Sequence, residues 1–160
     1  MLGRRPHSKA QPDLRALIFA TDPALLGLPP DGNRHVWGVV FDLAGPDGVA
    51  SLVSLADGTT SLYTSPGGGV IGGGAHEEVA VNSVALVFGV EAVLDQFIPT
   101  DDRSLPSEPH VRVWALTYSG VRMVESFESD LQRRDHPLAH VYLDVQEVLT
   151  ILRSVEEGGP

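Results

Sequence analysis

Asp57-Gly58-Thr59-Thr60-Ser61-Leu62-Tyr63-Thr64-Ser65, then Pro66-Gly67-Gly68-Gly69-Val70-Ile71-Gly72-Gly73-Gly74, then Ala75-His76-Glu77-Glu78: these three runs set the order of elements for the whole chain. Asp-Gly tolerates the positive φ angles of a type I′ turn, so Ala56-Asp57-Gly58-Thr59 predicts a two-residue hairpin. Thr59 to Ser65 then reads as a strand, with Leu62 and Tyr63 on opposite faces. Six glycines in the eight positions 67–74 are costly to order, because Gly loses the most backbone freedom on folding. The run predicts a loop with unusual backbone angles, or a close approach by another backbone or a ligand. A helix is expected from about Ala75.

Upstream, Val36 to Leu43 alternates Trp37, Val39, Phe41 and Leu43 with Val36, Gly38, Val40 and Asp42. Both sets are mostly apolar, which predicts a central strand covered on both faces. Gly45-Pro46-Asp47-Gly48 turns the chain into a second strand, Val49 to Leu55. Earlier still, Leu14, Leu17 and Ile18 have helical spacing behind Pro12-Asp13. Thr21-Asp22-Pro23 offers an N-cap with Pro at the first helical position, and Gly27 a stop.

Downstream, residues 76–97 read as a long helix. Val79, Leu86, Val90, Val93 and Phe97 form one stripe, which Val81, Val84, Ala85, Val87 and Phe88 widen past an ordinary amphipathic face. Such a helix is expected to be covered on more than one side: by the sheet, and by a second helix or a second subunit. Val81, Val84, Val87 and Phe88 are the candidate interface residues. Pro99 to Pro109 is a polar loop. Val111 to Tyr118 and Val121 to Phe127 are strands joined at Ser119-Gly120. After Pro137 a last helix carries Leu138, Val141, Val145, Val148, Leu149, Leu152 and Val155.

Residues 1–11 read as a flexible tail and 12–157 as one α+β domain. The expected architecture is a single antiparallel five-stranded sheet: a three-strand meander, a long crossover helix, a hairpin and a C-terminal helix. That order over residues 34–155 loosely resembles the profilin-like domains, including the roadblock and longin domains, although the roadblock pattern has fewer strands before its middle helix. The Asp57-to-Tyr63 strand with its glycine loop also resembles a bacterial protein family that brings no activity with it. What the roadblock resemblance implies is dimerisation and regulation.

Of the 160 residues, 42% are hydrophobic and 20% charged, as in globular chains. The net charge is -10, with 21 acidic residues against 11 basic ones. Arg4, Arg5 and Lys9 lie in the tail, so the body is more acidic still. A body of that sign repels phosphate backbones and anionic lipid, which argues against nucleic-acid and membrane-surface partners. The absence of Cys excludes disulfides, thiolate metal sites and a Cys nucleophile, and it fits the cytoplasm. The N-terminal apolar run, Ala16 to Ala20, is too short for a signal-peptide core.

Gly67, Gly69 and Gly72 satisfy the dinucleotide spacing G-x-G-x-x-G, and Glu91 lies near the distance of a ribose-binding acid. Against this, hairpin-linked strands precede the loop, and Glu91 falls inside a predicted helix. A P-loop needs Lys and Ser/Thr where Gly73 and Gly74 stand. An anion at the helix start would have His76 beside it but also Glu77 and Glu78, which repel it. His136 and His140 are four apart, with Asp135 and Asp144 near, but Pro137 between them spoils a shared helical face and no third ligand is indicated. Thr64, Ser65 and His76 make no recognisable nucleophile arrangement. Arg112 and Arg122 are expected on one face of the second hairpin, open to an acidic partner or to pairing with Glu125.

No catalytic or metal-binding set and no cofactor site is complete. The expectation is a non-catalytic protein-interaction or regulatory module that homodimerises. The alternative is a small-ligand or anion-binding sensor using Gly67, Gly68, Gly69, Gly72, Gly73, Gly74, His76 and Tyr63.

Overall fold

Alternating apolar residues and tight turns build one antiparallel sheet, seen in a computed structural model that describes residues 14–30, 32–65, 69–71 and 76–157. Its strands are β1 (Val36–Gly45), β2 (Gly48–Leu55), β3 (Thr60–Thr64), β4 (Gly69–Ile71), β5 (Ile98–Pro99), β6 (His110–Thr117) and β7 (Gly120–Phe127). The spatial order is β4-β3-β2-β1-β6-β7-β5, every neighbouring pair being antiparallel. Among the described residues four α-helices accompany it: α1 (Leu14–Ala20), α2 (Glu77–Ala92), α3 (Glu128–Leu131) and α4 (Ala139–Glu157).

The meander, crossover helix and hairpin follow the expected order, but the sheet is larger than five strands. Six strands are three residues or longer, and the two-residue β5 adds a short edge. One extra strand falls inside the glycine run, where Gly69-Val70-Ile71 pairs with Ser61 to Tyr63. Two β-branched residues between glycine triplets suffice for three ladder positions once β3 offers an open edge. The other extra strand, β5, follows the crossover helix and pairs with Met123 and Arg122.

The hairpin turns at Asp57-Gly58, but not as the two-residue type I′ turn expected: Asp57 has no positive φ, Gly58 N–H donates to Leu55 O at 2.9 Å, and Ala56, Asp57 and Gly58 form a three-residue loop with only Gly58 left-handed. Leu55 N–H donates to Thr59 O at 2.9 Å, Thr59 N–H to the Asp57 carboxylate at 3.0 Å, and Gly58 has φ +94°. Asp22 caps a short 3-10 turn, Pro23–Leu26, by accepting from Ala24 N–H, and Gly27 ends it at φ +77°.

β1 is central, as its doubly apolar pattern predicts, but its two faces are not the two alternating sets. The register with β6 shifts between Val36 and Gly38. That irregularity turns Trp37 away from Val39 and Phe41 and puts it on the opposite face with Val40. One face carries Val39, Phe41, Leu52, Val111, Val113 and Ala115 under α2 and α4. The other carries Trp37, Val40, Val53, Leu55, Trp114 and Leu116 under the N-terminal segment.

α2 packs on β1, β2 and β3 and against α4, whose Tyr142 ring reaches Phe41 of β1. It buries Val79, Ser83, Leu86, Val87 and Val90, and ends at Ala92 rather than running to residue 97; Leu94–Gln96 forms a 3-10 turn before the buried Phe97. α4 sends Val141, Tyr142, Val145, Val148, Leu149 and Leu152 into the same core at helical spacing. Among the described residues, no helix is long and apolar enough to cross a membrane.

Candidate functional site

The residues singled out in the sequence fall in three places. Gly67, Gly68, Gly72, Gly73 and Gly74 lie outside the described residues. Gly69 stands in β4 opposite Tyr63, which is half-buried against the Trp37 and Trp114 cluster. His76 is the exposed N-cap residue of α2 and makes no side-chain cap bond. Glu77 and Glu78 fill the first turn there, where their charge suits the helix dipole.

Of the interface candidates on α2, Val87 is 1% exposed and belongs to the core of its own chain, while Val84 is half-buried. Val81 and Phe88 are each 60% exposed. They share an outward stripe with the exposed Ala85 and Ala92, at helical spacings of four, three and four residues. On the neighbouring α4, Leu143 is 66% exposed.

The polar candidates separate. His136 Nδ1 accepts from Leu138 N–H at 3.0 Å, and its Nε2 lies 3.4 Å from Ser126 Oγ. With Nδ1 accepting, the neutral ring carries its proton on Nε2, so this nitrogen donates to Ser126 and is not a base for it. His140 Nε2 instead meets Gly89 O at 3.2 Å. Among the described residues no three His, Asp or Glu side chains gather as a metal ion would need. Arg112 and Arg122 are on opposite faces, because Arg112 pairs across from Glu125 and Arg122 from Ala115, an odd number of positions apart. Arg112 forms salt bridges with Glu125 and with Asp102.

Glu91, at the spacing of a ribose-binding acid, does other work. Its Oε1 accepts from His35 N–H at 2.9 Å and Val36 N–H at 2.8 Å, and its Oε2 meets His35 Nδ1 at 2.8 Å. Burial pushes its carboxyl up, but the Val36 N–H and the His35 side chain and N–H hold it below the usual range overall. Glu91 therefore ties the last turn of α2 to the start of β1.

Two polar sets escaped the sequence reading. On the helix-covered face, Ser83 Oγ of α2 meets Ser54 Oγ at 2.8 Å and Thr60 Oγ1 at 2.5 Å, all three groups being buried. On the other face, Asp42 of β1 is fully buried, with 0% exposure, and faces Arg15 of α1. Arg15 Nη2 lies 2.6 Å from Asp42 Oδ2, Nε lies 3.0 Å from the same oxygen, and Nη1 donates to Arg103 O at 2.7 Å. Ser51 Oγ also donates to Asp42. The guanidinium carbon sits 4.7 Å from the Trp114 ring centre and 4.9 Å from that of Phe19. Burial pushes the Asp42 carboxyl above its usual range, against the hydrogen bonds and charge of Arg15, the Ser51 hydroxyl and the charge of Arg112. The signal in the sequence is the lone carboxylate in an apolar strand, which demands a cation; which cation answers it is set by the tertiary fold.

The chain matches no family model, no curated protein and no solved structure. Its fold and these contacts define a small α+β protein on one antiparallel sheet, with one exposed apolar helix stripe and one guanidinium cradle.

Proposed function

We propose that the chain is a non-catalytic protein-interaction module that forms a homodimer through the outward stripe of α2. The carrying observation is the exposure of Val81 and Phe88 on a single uncharged stripe with Ala85 and Ala92. A lone exposed apolar residue is ordinary, but two large ones aligned on one helix, with Leu143 exposed on the helix beside it, make a surface that water covers poorly. A two-fold axis across α2 sets the stripe against its own copy, so a single uncharged surface serves both partners. The surrounding acidic charge keeps other surfaces apart while leaving this one neutral. An acidic, cysteine-free chain of this kind suits the cytoplasm.

Native mass spectrometry of the full chain at micromolar concentration tests the proposal. A dimer mass that falls to monomer when Phe88→Glu is introduced supports it. A sharply monomeric mass for the unaltered chain overturns the dimer, and a dimer indifferent to Phe88→Glu overturns this surface.

A further inference from the structure

The residues around Asp42 form a built site for a guanidinium group. Two carboxylate oxygens, the carbonyl of Arg103 and the face of Trp114 surround Arg15, and Ser51 holds the carboxylate from behind. This donor set suits arginine over lysine, since a planar fork reaches the carboxylate and a carbonyl together while stacking on a ring. The cradle belongs to the rigid part of the fold: Asp42 and Ser51 pair across β1 and β2, and Trp114 is a fully buried residue of β6 whose Nε1–H donates to Asp102 O at 3.2 Å.

The segment that supplies the guanidinium is held lightly by comparison. None of the seven residues of α1 is buried, and Leu17 is 53% exposed. The 3-10 turn that follows buries nothing either, with Leu25 exposed at 82%. The segment is fixed at its two ends, by Arg15 with Phe19 edge-on to Trp114, and by Leu28, whose carbonyl accepts from Tyr118 OH at 3.0 Å. Ile18 and Phe19 pack half-buried against the Trp37–Trp114 cluster and Leu28 is buried in it, while the polar contacts inside the cradle come from Arg15 alone in this segment.

We propose that the Asp42–Arg103–Trp114 cradle is a docking site for a helical segment of a partner protein bearing an Arg followed four residues later by an aromatic side chain, and that residues 14–28 occupy it in cis as an autoinhibitory strap. Charge complementarity selects this occupant: a buried carboxylate admits a segment that brings its own guanidinium and excludes a neutral or acidic one. Release of the strap uncovers Asp42 beside Trp114, Phe19 leaves the ring, and the incoming Arg and aromatic take both places. The site lies on the sheet face opposite α2, so it shares with the homodimer only the premise of action through protein contacts.

The test uses the full chain carrying Arg15→Ala, which empties the cradle of its guanidinium while keeping the rest of the strap. The probe is an acetylated, amidated peptide of residues 14–28, compared with the same peptide carrying Arg15→Ala. Both tryptophans of the chain, Trp37 and Trp114, belong to the cluster around the cradle, so their emission reports occupancy. The expected result is a saturable emission change with the Arg peptide, affinity about tenfold or more above that of the Ala peptide, and weaker binding to the unaltered chain, whose own strap competes. Equal affinity for the two peptides, or no saturable change, overturns the docking site. Equal binding to the altered and unaltered chains overturns the autoinhibition. If Arg15→Ala does not fold, the same titration on Arg15→Lys, which keeps a cation but loses the fork, decides by the same criteria. Oligomeric mass, read on the same samples, reports separately on the α2 surface.

Discussion

Arg15 and Asp42, 27 residues apart in the chain, form an ion pair in which two guanidinium nitrogens reach a fully buried carboxylate and the guanidinium carbon sits over the Trp114 ring, 4.7 Å from its centre. The pair joins the first helix to the central strand, so it acts on stability as well as on the strap. Buried pairs are asymmetric in their energetics: desolvation has already been incurred, and removing one partner strands the other. Arg15→Ala and Asp42→Ala are each expected to destabilise the chain by about 3 kcal/mol, whereas Arg15→Met with Asp42→Leu together lose far less. Urea unfolding of the two single variants and the double variant checks this as a cycle, with strong coupling expected.

Glu91 gives the chain an acid limb. Its carboxyl is held below its ordinary value of 4.5 in the folded state. A depressed folded value means that the unfolded chain binds the proton more readily, so the stabilisation is complete above 4.5 and is lost as the pH falls through the lowered folded value. Glu91→Gln removes this dependence and, by weakening the cap on His35 and Val36, costs about 1–2 kcal/mol at neutral pH. Thermal unfolding of both chains across pH 7 to about 3 separates the two effects: the curves converge at the acid end if Glu91 contributes as described.

How much of this was legible depended on range. The Asp22-Pro23 cap follows from residues within a few positions of each other and forms as the sequence predicts, and the Asp57-Gly58 hairpin forms where expected but with a three-residue loop in place of the type I′ turn. The two faces of β1 were misassigned at Trp37 because the irregularity there is fixed by pairing with β6, some eighty residues away. The sequence of the second hairpin puts Arg112 and Arg122 on one face, whereas its register separates them. β4 was hidden by its glycines, since its ladder depends on the open edge of β3 and not on its own propensity. In the same way Asp42 announced a need for a cation, and only the folded chain chose Arg15.

Gly58 ties the hairpin to the crossover helix. Its φ of +94° disfavours any L side chain, and an added Cβ would stand 2.8 Å from Ala80 Cβ and 3.2 Å from Ala80 Cα in α2. Both contacts are with atoms fixed by backbone, so neither side can yield cheaply. Gly58→Ala is expected to cost about 2–3 kcal/mol. Adding Ala80→Gly removes the 2.8 Å clash and should return that share of the cost, leaving the contact with the residue 80 backbone and the φ part, and denaturant midpoints of the single and double variants give the division.

Val81 and Phe88 are the positions where a charge reads association most cleanly. Both are 60% exposed, so a polar replacement leaves the core of the folded monomer untouched, with a stability change within about 0.5 kcal/mol. In a two-fold dimer through α2 each introduced carboxylate appears twice, facing its copy across a surface that excludes water. Val81→Glu and Phe88→Glu are therefore expected to weaken association about tenfold or more each, at unchanged circular dichroism. Leu25→Glu supplies the control, because Leu25 is more exposed at 82% but belongs to the strap side of the sheet and should leave the mass unaltered. Sedimentation over a concentration series distinguishes the cases: a shifted midpoint for the two α2 variants alone locates the interface, and a shift for Leu25→Glu alone would move it to the opposite face.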